Sequence, residues 1–117
     1  MDEIKALTSF WNSFGMAAYD SSSVPDGAAF PYITFDVERD FFGQEVMLTA
    51  NVWYRSTSWE GIEQTVEAIS QKITRGGITL DGLLWLKKGT PFAQRIPDDD
   101  DTIRRYMLNV TAEYFTA

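Results

Sequence analysis

Apolar residues recur along this chain with two periods, and the switches between them mark out its elements. Residues 2–14 place Ile4, Leu7, Trp11 and Phe14 at helical spacing, with Phe10 beside them. Asp2 and Glu3 stand at the positive end of the helix dipole and Gly15 is a natural stop, so a helix with one strongly aromatic, core-facing side is predicted. Residues 17–31 are polar and turn-rich around Pro25-Asp26-Gly27, which predicts a long connection acting as an interaction arm or flap. The period then becomes two. Ile33, Phe35 and Val37 alternate with Thr34, Asp36 and Glu38; Val46, Leu48, Ala50 and Val52 alternate with Met47, Thr49, Asn51 and Trp53. The short separation predicts an antiparallel hairpin with Phe41 and Phe42 at its tip.

The helical period returns over residues 57–73, where Ile62, Val66, Ile69 and Ile73 form an apolar stripe. Thr57 and Glu60 have capping-box spacing. Glu60, Glu63 and Glu67 fall on other, mostly solvated faces. Lys72 and Arg75 complement the C-terminal dipole, and Gly76-Gly77 closes the helix. Residues 78–80 and 83–88 flank Asp81-Gly82, a tight-turn signal, and residues 89–101 form a second long polar loop. Over residues 102–115, Tyr106, Leu108, Val110, Ala112 and Tyr114 alternate with Arg105, Met107, Asn109, Thr111 and Glu113. A strand of that length either runs along the whole sheet or overhangs it and pairs with a neighbouring subunit's edge. The order predicts one α+β domain over residues 1–117: a mixed, mostly antiparallel sheet of about four to five strands with two helices packed on one face.

Composition narrows the chemistry. The 117 residues are 44% hydrophobic and 15% aromatic, ample for a core. A chain this small still leaves about a third of its unfolded surface exposed, and aromatic residues there favour partner contacts. The chain has neither cysteine nor histidine, which excludes disulfides, thiolate zinc sites, cysteine nucleophiles, every Ser-His-Asp arrangement and the commonest general base. Carboxylate chemistry stays open. A net charge of −7 opposes a groove that grips phosphates. No apolar run approaches the ~20 residues of a membrane span, and the acidic start MDEIKAL is the reverse of a basic signal peptide, which predicts a protein that is cytosolic when made.

Asp98, Asp99, Asp100 and Asp101 are the first candidates for special chemistry. A calcium loop alternates its oxygen ligands around a glycine, and four consecutive aspartates lack that spacing. A solvated, self-repelling loop is the default. In a ring of subunits the same charges facing a pore would keep a passing polyanion from sticking. Arg104 and Arg105 partly compensate the run and are candidates to anchor it to the next subunit. Asp36 and Glu38 share a strand face as the carboxylates of a small hydrolase would, but so do many acidic pairs in any acidic protein. Gly76-Gly77 follows a helix instead of opening one, so it builds no phosphate cradle. Trp53, Tyr54 and Trp59 lack the interleaved basic groove of a nucleic-acid platform. No motif specifies a metal or a cofactor. Phe41, Phe42 and Phe92 are candidate contact anchors.

Phe30-Pro31-Tyr32-Ile33-Thr34-Phe35, followed one strand later by Val52-Trp53-Tyr54-Arg55-Ser56-Thr57-Ser58-Trp59-Glu60 and an amphipathic helix, resembles the small tail terminator (tail completion) proteins of long-tailed bacteriophages and prophages. The resemblance covers most of the chain in element order, through short motifs that other head–tail connection proteins share in part. It implies a structural virion protein at the head–tail junction: a hexameric ring that caps the tail tube, stops its polymerisation and meets the head connector. DNA would pass through the lumen without specific binding. The family carries no catalytic residues. A head-closure or minor capsid protein and a small carboxylate-dependent metal-binding domain or hydrolase are the other readings.

Overall fold

The computed structural model describes residues 2–38 and 45–115. Its elements are helix α1 (Asp2–Asn12), strands β1 (Ala17–Asp20), β2 (Tyr32–Phe35) and β3 (Glu45–Arg55), helix α2 (Glu60–Lys72), and strands β4 (Ile78–Leu80), β5 (Leu84–Ile96) and β6 (Ile103–Tyr114). The strands make one sheet in the order β1-β2-β3-β6-β5-β4. Every pairing is antiparallel except β1 on β2. The α+β class with a mixed sheet is as expected, but the described residues form six strands instead of about four to five.

The additional strand is β1, inside the stretch expected to be an arm. Ala17 to Asp20 pair in register with Tyr32 to Phe35, so this connection is partly sheet. The edge it creates is blunted: Asn12, the last residue of α1, accepts a hydrogen bond on Oδ1 from the Ala18 amide at 3.0 Å. A side chain thereby occupies a donor that would otherwise template pairing with another chain.

In β3 and β6 the alternation expected from the sequence is the one observed, while β2 ends at Phe35, short of Val37, and Thr34 is buried as well. Ile33, Phe35, Leu48, Ala50, Val52, Leu84, Leu86, Leu108, Val110, Ala112 and Tyr114 are buried on one face of the sheet. Helix α2 lays Ile62, Val66 and Ile69 on that face, with Ile73 just beyond its end; α1 adds Leu7, Phe10 and Trp11. The α1 stripe is rotated by about one residue from expectation, because Ala6 is buried while Ile4 and Phe14 are only half-buried. Phe10 packs edge-on against Trp11 (4.9 Å) and Phe14 (5.3 Å). Burying each large side chain contributes about 1.5–3 kcal/mol. The thinnest dimension is 22 Å, about that of one sheet and one helix layer, so no second layer of the described residues covers the opposite face.

Strand β6 does not overhang. It lies at the centre, paired with β3 from Arg55↔Ile103 to Glu45↔Glu113 and with β5 from Leu84↔Tyr114 to Ile96↔Arg105. The second polar loop is likewise shorter than expected, because β5 continues to Ile96. A register shift between Lys88 and Ala93 lets the strand carry Pro91, which an unbroken ladder would reject. Gly89 permits the close approach this needs: a Cβ there would stand 3.0 Å from the Asn109 carbonyl oxygen. The Asn109 amide donates to the Pro91 carbonyl at 2.9 Å, replacing a lost ladder bond.

Helix α2 is shorter at both ends than residues 57–73. The capping box does not form: Trp59 occupies the N-cap position in a helical conformation without a side-chain cap. Ser58 Oγ accepts from the Glu60 amide (3.1 Å) and Ser56 Oγ from the Ser58 amide (3.0 Å), so two serine turns satisfy the entry. At the other end Ile73 is already extended (ψ 93°), and Gly77, at φ +86°, closes a separate turn onto the Thr74 carbonyl. Asp81 and Gly82 both have positive φ, as the tight β4–β5 turn requires.

Candidate functional site

Three groups of side chains stand apart from the core. The first is the β5–β6 turn. Asp98, Asp99, Asp100 and Asp101 are all exposed there. Asp98 Oδ1 accepts from the Asp100 amide (2.9 Å), and Asp100 Oδ1 accepts from the Thr102 amide (2.9 Å) and hydroxyl (2.7 Å). These bonds, the Thr102 hydroxyl foremost, hold the Asp100 carboxyl below the ordinary range. Arg55 Nη1 lies 3.8 Å from Asp100 and donates to Thr102 Oγ1 at 3.0 Å. Among the described residues Asp98, Asp99 and Asp101 make no ion pair. Arg104 turns inward: it donates to the carbonyls of Asp101 (2.9 Å), Ile103 (3.2 Å) and Thr57 (2.8 Å), tying the turn to the entry of α2. Among the described residues no group of three or more acidic side chains is placed to hold a metal ion, and no pocket is found.

The second group is a latch between α2, β5 and β6. The Tyr106 hydroxyl donates to Glu63 Oε1 at 2.6 Å, and Arg95 donates to Glu63 Oε2. The Arg95 and Arg104 guanidiniums lie 4.5 and 5.3 Å from the Trp59 ring centre, and Tyr106 meets that ring edge-on at 5.9 Å. The Tyr106 bond, then Arg95, depress the Glu63 pKa; burial and the neighbouring carboxylate raise that of Tyr106. This network was not foreseen, since Glu63 reads as a solvated helix residue and nothing in sequence links it to Tyr106. Tyr54, bonded to Thr65 on α2 at 2.5 Å, is a second such link.

The third group lies on the uncovered sheet face. Register places Tyr32, Trp53 and Arg105 side by side on β2, β3 and β6. Tyr32 stacks on Trp53 (6.2 Å, 20°), Tyr19 meets Tyr32 at 6.0 Å, and Phe30 meets Tyr32 at 5.1 Å. Arg55 stands over Phe30 at 4.8 Å and Arg105 over Trp53 at 4.8 Å. Arg105 Nε donates to Asn51 Oδ1 at 2.9 Å. None of these four rings belongs to the core. Farther along the same face Met47 is 54% exposed, and Lys87 pairs with Glu45 at 2.8 Å.

Of the residues singled out in the sequence, Phe92 is half-buried against the core near the β5 bulge, with Lys88 Nζ 5.5 Å from its ring centre. Phe41 and Phe42 lie outside the described residues. Arg104 and Arg105 are neighbours in sequence but serve opposite sides of the sheet.

With this geometry in view, comparison with solved structures finds a chain of the virion of a native gene transfer agent particle. It superposes with a TM-score of 0.61 at 19% identity, over 97% of this chain and 89% of that one. The two chains share a fold. No family model matches the sequence, and no curated protein is similar to it by sequence. No helix among the described residues is long and apolar enough to cross a membrane.

Proposed function

We propose that this chain is a structural virion protein, a tail terminator subunit that caps the tail tube at the head–tail junction as a hexameric ring and joins it to the head connector. The observation that carries this is the fold correspondence with a chain of a gene transfer agent virion, which runs through almost the whole of both chains. The tail-terminator assignment rests on the motifs around Tyr32 and Trp53 and on the order of elements. Support also comes from a sheet covered by helices on one face only, leaving aromatic and arginine side chains on the other for neighbours. The protein acts by assembly, without turnover, and DNA passes through the ring without being gripped, as the charge of −7 favours. A head-closure or minor capsid role is the nearest alternative, because the similar chain comes from a whole virion.

Electron micrographs of purified tail tubes mixed with the protein test the assignment. A cap of density on one end of each tube is expected. Bare ends at saturating protein, with binding to heads instead, would favour the alternative.

A further inference from the structure

Two adjoining surfaces carry opposite charges that one copy matches only in part, through Arg55 and Asp100. The open face presents Tyr19, Phe30, Tyr32 and Trp53 as one connected surface with the Arg55 and Arg105 guanidiniums laid on it. Arg105 has no ion-pair partner among the described residues, and Arg55 has only the 3.8 Å approach of Asp100. The β5–β6 turn presents four exposed aspartates, three of them unpaired. Guanidiniums already stacked on rings keep their in-plane donors available for carboxylates. Nucleic acid is the poorer match for this cationic surface, because a chain of net charge −7 repels a polyanion as a whole.

We propose that the aromatic–arginine surface around Trp53, Arg55 and Arg105 receives the Asp98, Asp99, Asp100 and Asp101 turn of a second copy of this chain. This rests on the ring reading and supplies its contact. The turn adjoins this surface at Arg55 within one copy; a turn that reaches Trp53 and Arg105 of the next copy, whose own turn reaches a third, makes a heterologous contact that propagates from copy to copy as a ring requires. The contact that Asp100 makes with Arg55 within one copy shows that the two chemistries are compatible. Between copies the remaining carboxylates of the run meet Arg105 and the free side of Arg55, and the rings exclude water around them.

The chain's lack of cysteine gives a clean test. Ala29→Cys, exposed next to Phe30, and Asp99→Cys are made as separate proteins, with Gln71→Cys on the exposed side of α2 as control. Ala29→Cys mixed with Asp99→Cys under mild oxidation, with and without tail tubes, is expected to give a disulfide-linked dimer, while the Gln71→Cys pairings give none. Arg55→Glu with Arg105→Glu lowers the yield about tenfold, and Asp99→Lys with Asp101→Lys in the other copy restores assembly on tubes, which a misfolded variant cannot show. Raising salt from about 0.1 to about 1 M lowers the yield, as the Debye length shrinks from ~10 to ~3 Å. Protein that caps tubes yet cross-links no better through these positions than through Gln71→Cys overturns the contact and leaves the ring reading standing. Protein that never joins tubes or itself overturns both.

Discussion

Removing one oxygen from the α2–β6 latch tests whether helix α2 is held to the sheet by polar chemistry as well as by its apolar stripe. Tyr106→Phe keeps the ring, which is 9% exposed, and so opens no cavity; it deletes only the hydroxyl that donates to Glu63 Oε1 at 2.6 Å. A hydrogen bond to a charged group is worth about 1.5–3 kcal/mol when shielded. The Glu63 side chain is 40% exposed, so water replaces part of the loss and about 1 kcal/mol is expected. That corresponds to roughly 3–6 °C in Tm for a domain of this size. The pH dependence follows from the depressed Glu63 pKa, caused first by Tyr106 and then by Arg95. A carboxylate whose folded pKa lies below its unfolded value contributes stability that is present above the unfolded value, about 4.3, and is lost as pH falls through the folded one. The penalty of Tyr106→Phe is therefore full at neutral pH and shrinks in acid. Urea unfolding followed by tryptophan fluorescence, repeated at steps of decreasing pH, measures it. A neutral-pH penalty below about 0.3 kcal/mol, or one that grows in acid, would refute the latch.

Other consequences are as concrete. Ile69→Ala removes a fully buried anchor of α2 and should cost about 2–5 kcal/mol in denaturant unfolding, with the m-value unchanged. Gly77→Ala should cost more than the ~1 kcal/mol of an ordinary positive-φ glycine, because its Cβ would stand 2.4 Å from Trp85 Nε1 and 2.8 Å from the Leu86 carbonyl. Thermal melts check this, and a neutral result would contradict the packing. Asn12→Ala frees the Ala18 amide at the sheet edge; it should lower stability by about 1 kcal/mol and raise the rate of turbidity growth on mild heating. Gly61→Ala, normally a gain of about 1 kcal/mol in a helix, should give none here, because the new Cβ meets the Tyr54 ring at 3.1 Å.

Elements held by burial were legible in the sequence. Ile62, Val66, Ile69 and Ile73 keep helical period because each meets the sheet, and Tyr106, Leu108, Val110, Ala112 and Tyr114 alternate because β6 has one face in the core. Asp81-Gly82 was legible because few other residues accept two successive positive φ values. What was hidden is held by pairing or by a distant partner. Strand β1 is four residues long, and its place comes from Tyr32 to Phe35 and Asn12. The second half of β5 changes phase at its bulge and carries polar residues toward solvent, so it reads as loop. Thr57 and Glu60 have the spacing of a cap that Ser56 and Ser58 supply instead. The open face was visible as alternation, with Trp53 and Arg105 opposite the core positions. That these two are neighbours depends on the β3–β6 register, which no local pattern encodes.

A subunit that ends tube growth must block elongation. Tail tubes preincubated with the protein are supplied with fresh tube subunit, and their lengths are measured in micrographs. Treated tubes are expected to stay at their starting length while untreated ones grow. Continued growth at the same rate, with every tube exposed to excess protein, would contradict it.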